Sequence, residues 1–325
     1  MLKEITPAAL SQFQIGHASY PSDLTGCTVV LAPNGAIAGV DVRGGSPGTR
    51  ETDLLKSENL IDQVHAIFLT GGSAYGLDVA TGIMRYLEEK HIGFNTPAAH
   101  IPIVPGAVLF DLMIGNSSVR PDAELGYQAC LNARTSGGLV GNVGAGLGAT
   151  VGKCCGSDYA MKGGVGHYAV ELRGIKVAAL IAVNSFGDII NPKTGKVLAG
   201  AYDRSQHMFL DSEQQLFNQM TQSTNHFSGN TTIGVVMTNV KATKAQMNKI
   251  ASIAHDGLAR TMRPSHSFVD GDTLFTLSSN EEEADLNVIS MLATTVVEKA
   301  IINAIKSAQS VEGCPSYQDV KDHFS

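Results

Sequence analysis

The 325-residue chain carries 23 Lys plus Arg against 30 Asp plus Glu, a formal charge of −7, and no basic run of the kind that tracks a phosphate backbone, so nucleic acid is not an expected partner. Its length allows one large α/β domain or two smaller ones with a sizeable core. The opening MLKEITPAAL lacks the apolar core and small-residue cleavage site of a secretory signal, and no stretch approaches a membrane span of about twenty apolar residues, so a soluble cytoplasmic protein without a membrane partner is expected.

Along the chain, Cys27–Ala32 and Ala36–Val42 are short apolar runs separated by Pro33-Asn34-Gly35, which predicts a hairpin with Asn-Gly in its turn. His65–Leu69 reads as a strand running into Thr70-Gly71-Gly72-Ser73, after which Leu77, Ala80, Ile83, Met84 and Leu87 recur at the spacing of a helix face. The segment from Val104 to Met113 is apolar again, broken by Pro105-Gly106. A glycine-dense stretch follows, residues 137–152, ending at Lys153. It could cradle a phosphate and is the main support for a rival reading, a nucleotide- or phosphate-binding module. Gly144-Ala-Gly-Leu-Gly-Ala149 only loosely fits a dinucleotide fingerprint, however, and Gly152-Lys153 lacks the following Ser or Thr of a P-loop. The alternative for these glycines is close backbone packing.

Lys176–Asn184 is a buried-strand run, and residues 203–230 form a polar excursion rich in Gln, Ser, Asn and His. A strand begins near Thr231, Met247 to Leu258 steps at helical intervals, Thr273–Leu277 is strand-like, and Val288 to Ala308 is a long helix. Strands and helices alternate without repeats or a separating linker, so residues 1–325 read as a single α/β domain. Five cysteines (Cys27, Cys130, Cys154, Cys155 and Cys314) form no CxxC pair, and the adjacent Cys154-Cys155 lacks metal-site spacing, so packing thiols are expected. The histidines show no HExxH spacing, and neither metal nor cofactor is expected.

Two segments carry chemistry. Asn230-Thr231-Thr232 precedes the apolar run Ile233–Met237, and Asp270-Gly271-Asp272 lies downstream. Threonine is a weak nucleophile that needs a base, and the free amine of an N-terminal threonine supplies one within the same residue. Attack of the Thr231 hydroxyl on the Asn230 carbonyl, an N→O acyl shift and hydrolysis would release that amine and leave residues 1–230 and 231–325. The same residues also make an ordinary turn entering a strand. If residues 270–272 are extended, the period of two puts both carboxylates on one face, where mutual repulsion raises the pKa of the pair and one could accept a hydrogen bond from the Thr231 amine or hydroxyl. A solvated acidic turn is the alternative.

These segments join an ordered series: Leu69-Thr-Gly-Gly-Ser-Ala-Tyr-Gly-Leu-Asp78, Val104-Pro-Gly-Ala-Val-Leu-Phe-Asp111, Gly141-Asn-Val-Gly-Ala-Gly146, Ala149-Thr-Val-Gly-Lys153, Met161-Lys-Gly-Gly164, Ala182-Val-Asn184, Asn230-Thr-Thr-Ile-Gly-Val-Val236, His255-Asp-Gly-Leu-Ala-Arg260 and Asp270-Gly-Asp272. On this series the chain resembles the self-processing family of L-aminopeptidase/D-esterases, β-aminopeptidases and nylon-oligomer endo-hydrolases. The resemblance implies an αββα sandwich, similar to that of ornithine acetyltransferases, with two stacked sheets flanked by helices. It also implies that Thr231 is the nucleophile, that Asn230 contributes the scissile carbonyl, that Asn184 donates to the oxyanion, and that Lys153 tunes the nucleophile's amine. Asp270, Asp272 and the threonine nucleophile match the endo-hydrolase branch, whereas β-aminopeptidases have a glutamate and serines there. Lys162 and Tyr75 lie within matching motifs but are read as structural, and His255 and Arg260 as packing or surface residues. The expected substrate is a small peptide or amide, the expected assembly a homo-oligomer of processed protomers. An acyltransferase using the same acyl-enzyme is a second alternative.

Overall fold

In the computed structural model, which describes residues 1–136, 138–218, 220, 229–311 and 313–323, most of the apolar runs become strands of one large sheet. Its principal strands are β1 (Gln14–Tyr20), β2 (Thr25–Val42), β3 (Gln63–Thr70), β4 (Gly106–Val108), β5 (Gly164–Leu172), β6 (Ile175–Val183), β7 (Ile233–Val240) and β8 (Thr273–Glu282). The helices covering them are α1 (Val79–Glu89), α2 (Ala123–Leu131), α3 (Lys244–Ala254), α4 (Asp256–Thr261) and α5 (Leu286–Ser307). Gly137 and residues 221–228 of the polar excursion fall outside the described residues.

Strand order runs β5-β6-β7-β8-β2-β3-β4, with β1 also paired to β2. Strand β2 corrects the predicted hairpin, because Asn34-Gly35 does not reverse the chain. The first part of β2 pairs with β1 and β3, and its last part, Ile37–Val42, pairs antiparallel with Ser278–Thr273 of β8. A hairpin requires its two arms to bond each other, and here each finds a different partner. Opposite β3 the register jumps from Leu31↔Ala66 to Ala36↔Val64, so the turn-like residues bulge out of a continuing strand. Gly35 supplies the positive φ of 79°.

Because β2 serves both groups of strands, it joins two half-sheets that stack on one another. Val30, Ile67 and Leu69 from one half share a core with Leu180, Val235, Met237, Phe275 and Leu277 from the other. Their strand neighbours point the opposite way. Val29, Leu31, Ala66 and Phe68 pack on Ile83 and Leu87 of α1 and Leu125 and Ala129 of α2. On the far side Ala179, Ile181, Val236 and Leu274 pack on Met247 and Ile250 of α3 and on Val296, Val297, Ala300 and Ile301 of α5. Three apolar interfaces therefore separate four layers, the αββα sandwich that the resemblance implies.

Helix α5 corrects the reading that no segment approaches a membrane span. An 18-residue stretch within its 22 residues reaches a mean hydropathy of 1.6, long and apolar enough by composition alone. Two-thirds of that stretch is buried inside the protein, which accounts for a helix with so little polar face. The glycine-dense stretch is also explained by packing. A Cβ at Gly146 would fall 2.2 Å from Val165 N, one at Gly148 2.1 Å from Leu24 O, and one at Gly152 1.9 Å from Gly200 C. These glycines admit neighbouring backbone where a side chain would not fit.

Candidate active site

Residues 230–232 prolong β7 backwards, alongside the segment that leads into β8. Gly271 N donates to Asn230 O at 2.9 Å and Thr273 N to Thr232 O at 3.1 Å, continuing the parallel ladder of β7 and β8. On the other side Thr231 N donates to Asn184 O at 2.9 Å, just past the end of β6. Thr231 is thus pinned between two backbone segments, and it is buried together with Asn184, Lys153, Asn230, Asp270 and Asp272. All five predicted catalytic positions and Asn230, the predicted cleavage site, are brought into one interior region. The Thr231 hydroxyl donates to the carbonyl of Asn230.

Two glycines make room for this arrangement. A Cβ at Gly271 would lie 2.7 Å from Thr231 Oγ1, and one at Gly229, where φ is 56°, would lie 2.1 Å from the ring of Phe110. Phe110 lines two cavities. One of about 120 Å³ is also lined by Ser46, Gly229, Asn230, Thr231 and Val269. The other, of about 390 Å³, is also lined by Asp111, Met113, Thr150, Lys153 and Cys314.

The orientation of the Asn184 amide is set by its acceptor side. Its Oδ1 accepts from Thr150 N at 2.9 Å and Lys153 Nζ at 2.9 Å, which leaves Nδ2 to donate to Phe110 O at 3.1 Å and Gly229 O at 3.4 Å. Lys153 Nζ also donates to Asn184 O at 3.2 Å and Gly229 O at 3.3 Å. Burial lowers the Lys153 pKa from 10.5 to about 7, against the upward pull of the Asp270, Cys314 and Asp111 charges. The Asn184 donor therefore faces the carbonyl of Gly229, one residue upstream of the Asn230 carbonyl.

The acidic pair is buried, not the solvated turn of the alternative reading. Asp270 accepts from Phe186 N at 3.2 Å and from Ser267 N at 3.0 Å and Ser267 Oγ at 2.5 Å. Asp272 accepts from Thr232 N at 2.7 Å, His266 N at 3.1 Å and His266 Nδ1 at 2.9 Å. Burial first, then the charge of Asp272, raises the pKa of Asp270. The predicted hydrogen bond from Thr231 to a carboxylate is not made while Asn230 and Thr231 are joined, because the hydroxyl is turned to the Asn230 carbonyl and the amide N–H to Asn184. His266, Ser267, Phe110 and the Gly271 N–H were not legible as site groups. Only the closeness of Ser265-His266-Ser267 to the acidic pair could have drawn attention to two of them.

The remaining motif residues make other contacts. Lys162 is fully buried and donates to Gly146 O at 2.9 Å, Ala149 O at 2.7 Å and Gly163 O at 3.1 Å. Tyr75 is exposed beneath the Arg120 guanidinium, His255 is buried with Nε2 on Asp41 O, and Arg260 is exposed. Cys154 and Cys155 are free thiols 3.5 Å apart, Cys154 being packed against Ser212.

Comparison with known proteins is consistent with this geometry. Residues 10–318 match peptidase family S58. An uncharacterised aminopeptidase of Mycobacterium leprae is 41% identical over 317 residues, 90% of this chain and 85% of the relative. A 6-aminohexanoate-oligomer endohydrolase of Agromyces sp. is 31% identical over 297 residues, 90% of this chain and 80% of the relative. Among solved structures, the L-aminopeptidase D-Ala-esterase/amidase of Ochrobactrum anthropi, described as a new variant among the Ntn hydrolase fold, superposes with a TM-score of 0.69 at 17% identity, covering 94% of this chain and 88% of that one. A Burkholderia sp. β-aminopeptidase gives 0.67 at 16% identity, covering 95% and 90%.

Proposed function

Because the chain belongs to peptidase family S58 and is a hydrolase of peptide or amide bonds, we propose that it cuts itself between Asn230 and Thr231 and then works as an N-terminal-threonine amidohydrolase. The observation that carries this reading is the buried Thr231 hydroxyl directed at the carbonyl of the residue before it. In turnover Thr231 Oγ attacks the substrate carbonyl, its neutral amine takes the hydroxyl proton and passes it to the leaving amine, and water releases the acyl-enzyme. Asn184 and Lys153, whose donors already converge on one carbonyl, bind the substrate oxygen once Gly229 has moved away. The acidic pair steadies the new ammonium. The 390 Å³ cavity beside Lys153 is adjacent to these donors and has room for a short acyl chain. Its size and the Asp-x-Asp pair favour short peptide-like or ω-amino-acid amides.

Intact mass and N-terminal sequencing of the purified protein test the reading. The expected products are residues 1–230 and a second chain beginning Thr-Thr-Ile-Gly, with hydrolysis of small amino-acid amides appearing as they form. A chain still intact after long incubation at neutral pH, or a fragment starting at Thr232, would exclude it.

A further inference from the structure

We infer that the backbone N–H of Gly271, and not the side chain of Asn184, stabilises the oxyanion of self-cleavage; this rests on the self-cutting reading above. The scissile carbonyl oxygen accepts Gly271 N–H at 2.9 Å, whereas Asn184 Nδ2 is committed to Gly229 O at 3.4 Å and Phe110 O at 3.1 Å. Both flanks of the Gly271 donor are fixed. Ser46 N holds Asp270 O at 2.8 Å, Arg43 N holds Asp272 O at 3.0 Å, and the ladder resumes at Thr273 N with Thr232 O at 3.1 Å. A backbone donor held this rigidly needs no reorganisation as charge develops on the oxygen it already touches.

The reaction balances around that oxygen. As the bond from Thr231 Oγ to the Asn230 carbonyl carbon forms, the oxygen becomes an alkoxide on Gly271 N–H. The C–N bond then breaks, the hydroxyl proton ends on the Thr231 nitrogen, and an ester joins Asn230 to Oγ. Water adds to that ester, its hydroxyl staying on Asn230 as the new carboxyl group and its proton returning to Oγ. Throughout, the Asn184 and Lys153 donors remain covered by the Gly229 carbonyl. Self-cleavage and turnover consequently use different oxyanion donors, and the second set is exposed only when the new C-terminus leaves.

Asn184→Ala separates the two reactions. Self-cleavage, followed on gels from freshly refolded precursor, is expected within about threefold of the wild-type rate, while amide turnover falls by about 10²–10³-fold. Asn184→Asp, which keeps the acceptor for Thr150 N–H and Lys153, is run beside it in case the alanine variant does not fold. A semisynthetic chain with an ester in place of the Asp270–Gly271 peptide bond deletes the one N–H, and its self-cleavage is expected to slow by at least the same factor. Folded Asn184 variants whose self-cleavage slows in step with turnover would overturn the assignment, as would an ester chain cut at the wild-type rate. A wild-type chain that is never cut at Asn230–Thr231 would instead defeat the underlying reading.

Discussion

Gly271→Ala tests how tightly the nucleophile is housed. The added Cβ would lie 2.7 Å from Thr231 Oγ1, 2.7 Å from Ser46 O and 3.2 Å from Pro47 Cα. Relief requires roughly 0.8 Å of movement, since comfortable heavy-atom contacts begin near 3.5 Å. The Ser46 side can give little, because Ser46 N is bonded to Asp270 O and its Oγ to Phe268 O. Much of the displacement therefore falls on the Thr231 side chain, whose branched Cβ restricts it to few rotamers. Overpacking of this kind costs about 1–3 kcal/mol, and misplacing a reacting atom by about 1 Å slows a reaction by about 100-fold. The expected result is self-cleavage slowed by about ten- to a hundredfold, read as the first-order disappearance of full-length chain on a gel. Thermal melts in a Thr231→Ala background isolate the stability term. There Oγ is absent, so Gly271→Ala should destabilise by less than it does with threonine present and Asn230 still joined. A Gly271→Ala chain that is cut at the wild-type rate, with an unchanged melting temperature, would refute the close contact.

Further outcomes follow from the buried lysines Lys153 and Lys162. For Lys153, the unfolded chain keeps its proton up to about pH 10.5 while the folded one releases it near 7, so between these values the unfolded state binds more protons and stability rises with pH. Lys153→Met in the uncut Thr231→Ala background should remove that contribution. Urea melts at pH 7 and 9.5 measure it as a difference between variants, in which the titrating cysteines cancel, and equal pH dependence in both would contradict the buried lysine's role. Lys162→Met removes three bonds to buried carbonyls, but Gly146 O keeps Ala149 N–H and Ala149 O keeps Gly163 N–H, so the main cost is the donor lost to Gly163 O, a net loss of about 2 kcal/mol. It should also lower amide turnover, because the turn that Lys162 ties down leads into the Thr150 N–H that orients Asn184. Unchanged urea midpoint and unchanged turnover would leave Lys162 without that function.

Much of the fold is written locally. The continuous apolar runs of β6 and β7, the helical spacing of Ile83 and Leu87, and the apolar run of α5 are each properties of a short stretch of chain. The resemblance carried by the ordered series of motifs pointed to Thr231 as candidate nucleophile, Asn230 as its neighbour at the expected cut, and Asn184, Lys153, Asp270 and Asp272 as accompanying groups. What those groups bond to was not legible. Asn34-Gly35 has good hairpin chemistry, yet β2 runs on because β3 and β8 supply its partners from far along the chain. Asp270-Gly-Asp272 has good turn chemistry, yet it is buried because the backbone at Arg43 and Ser46 closes over it. The Gly271 N–H has no side chain to announce it and acts only because residues 230 and 271 lie side by side. Sequence alone determined most of the elements and the candidate reactive groups; the tertiary structure decided which carbonyl each donor faces, since pairing between distant segments depends on the packing of all four layers and is encoded in no single stretch of residues.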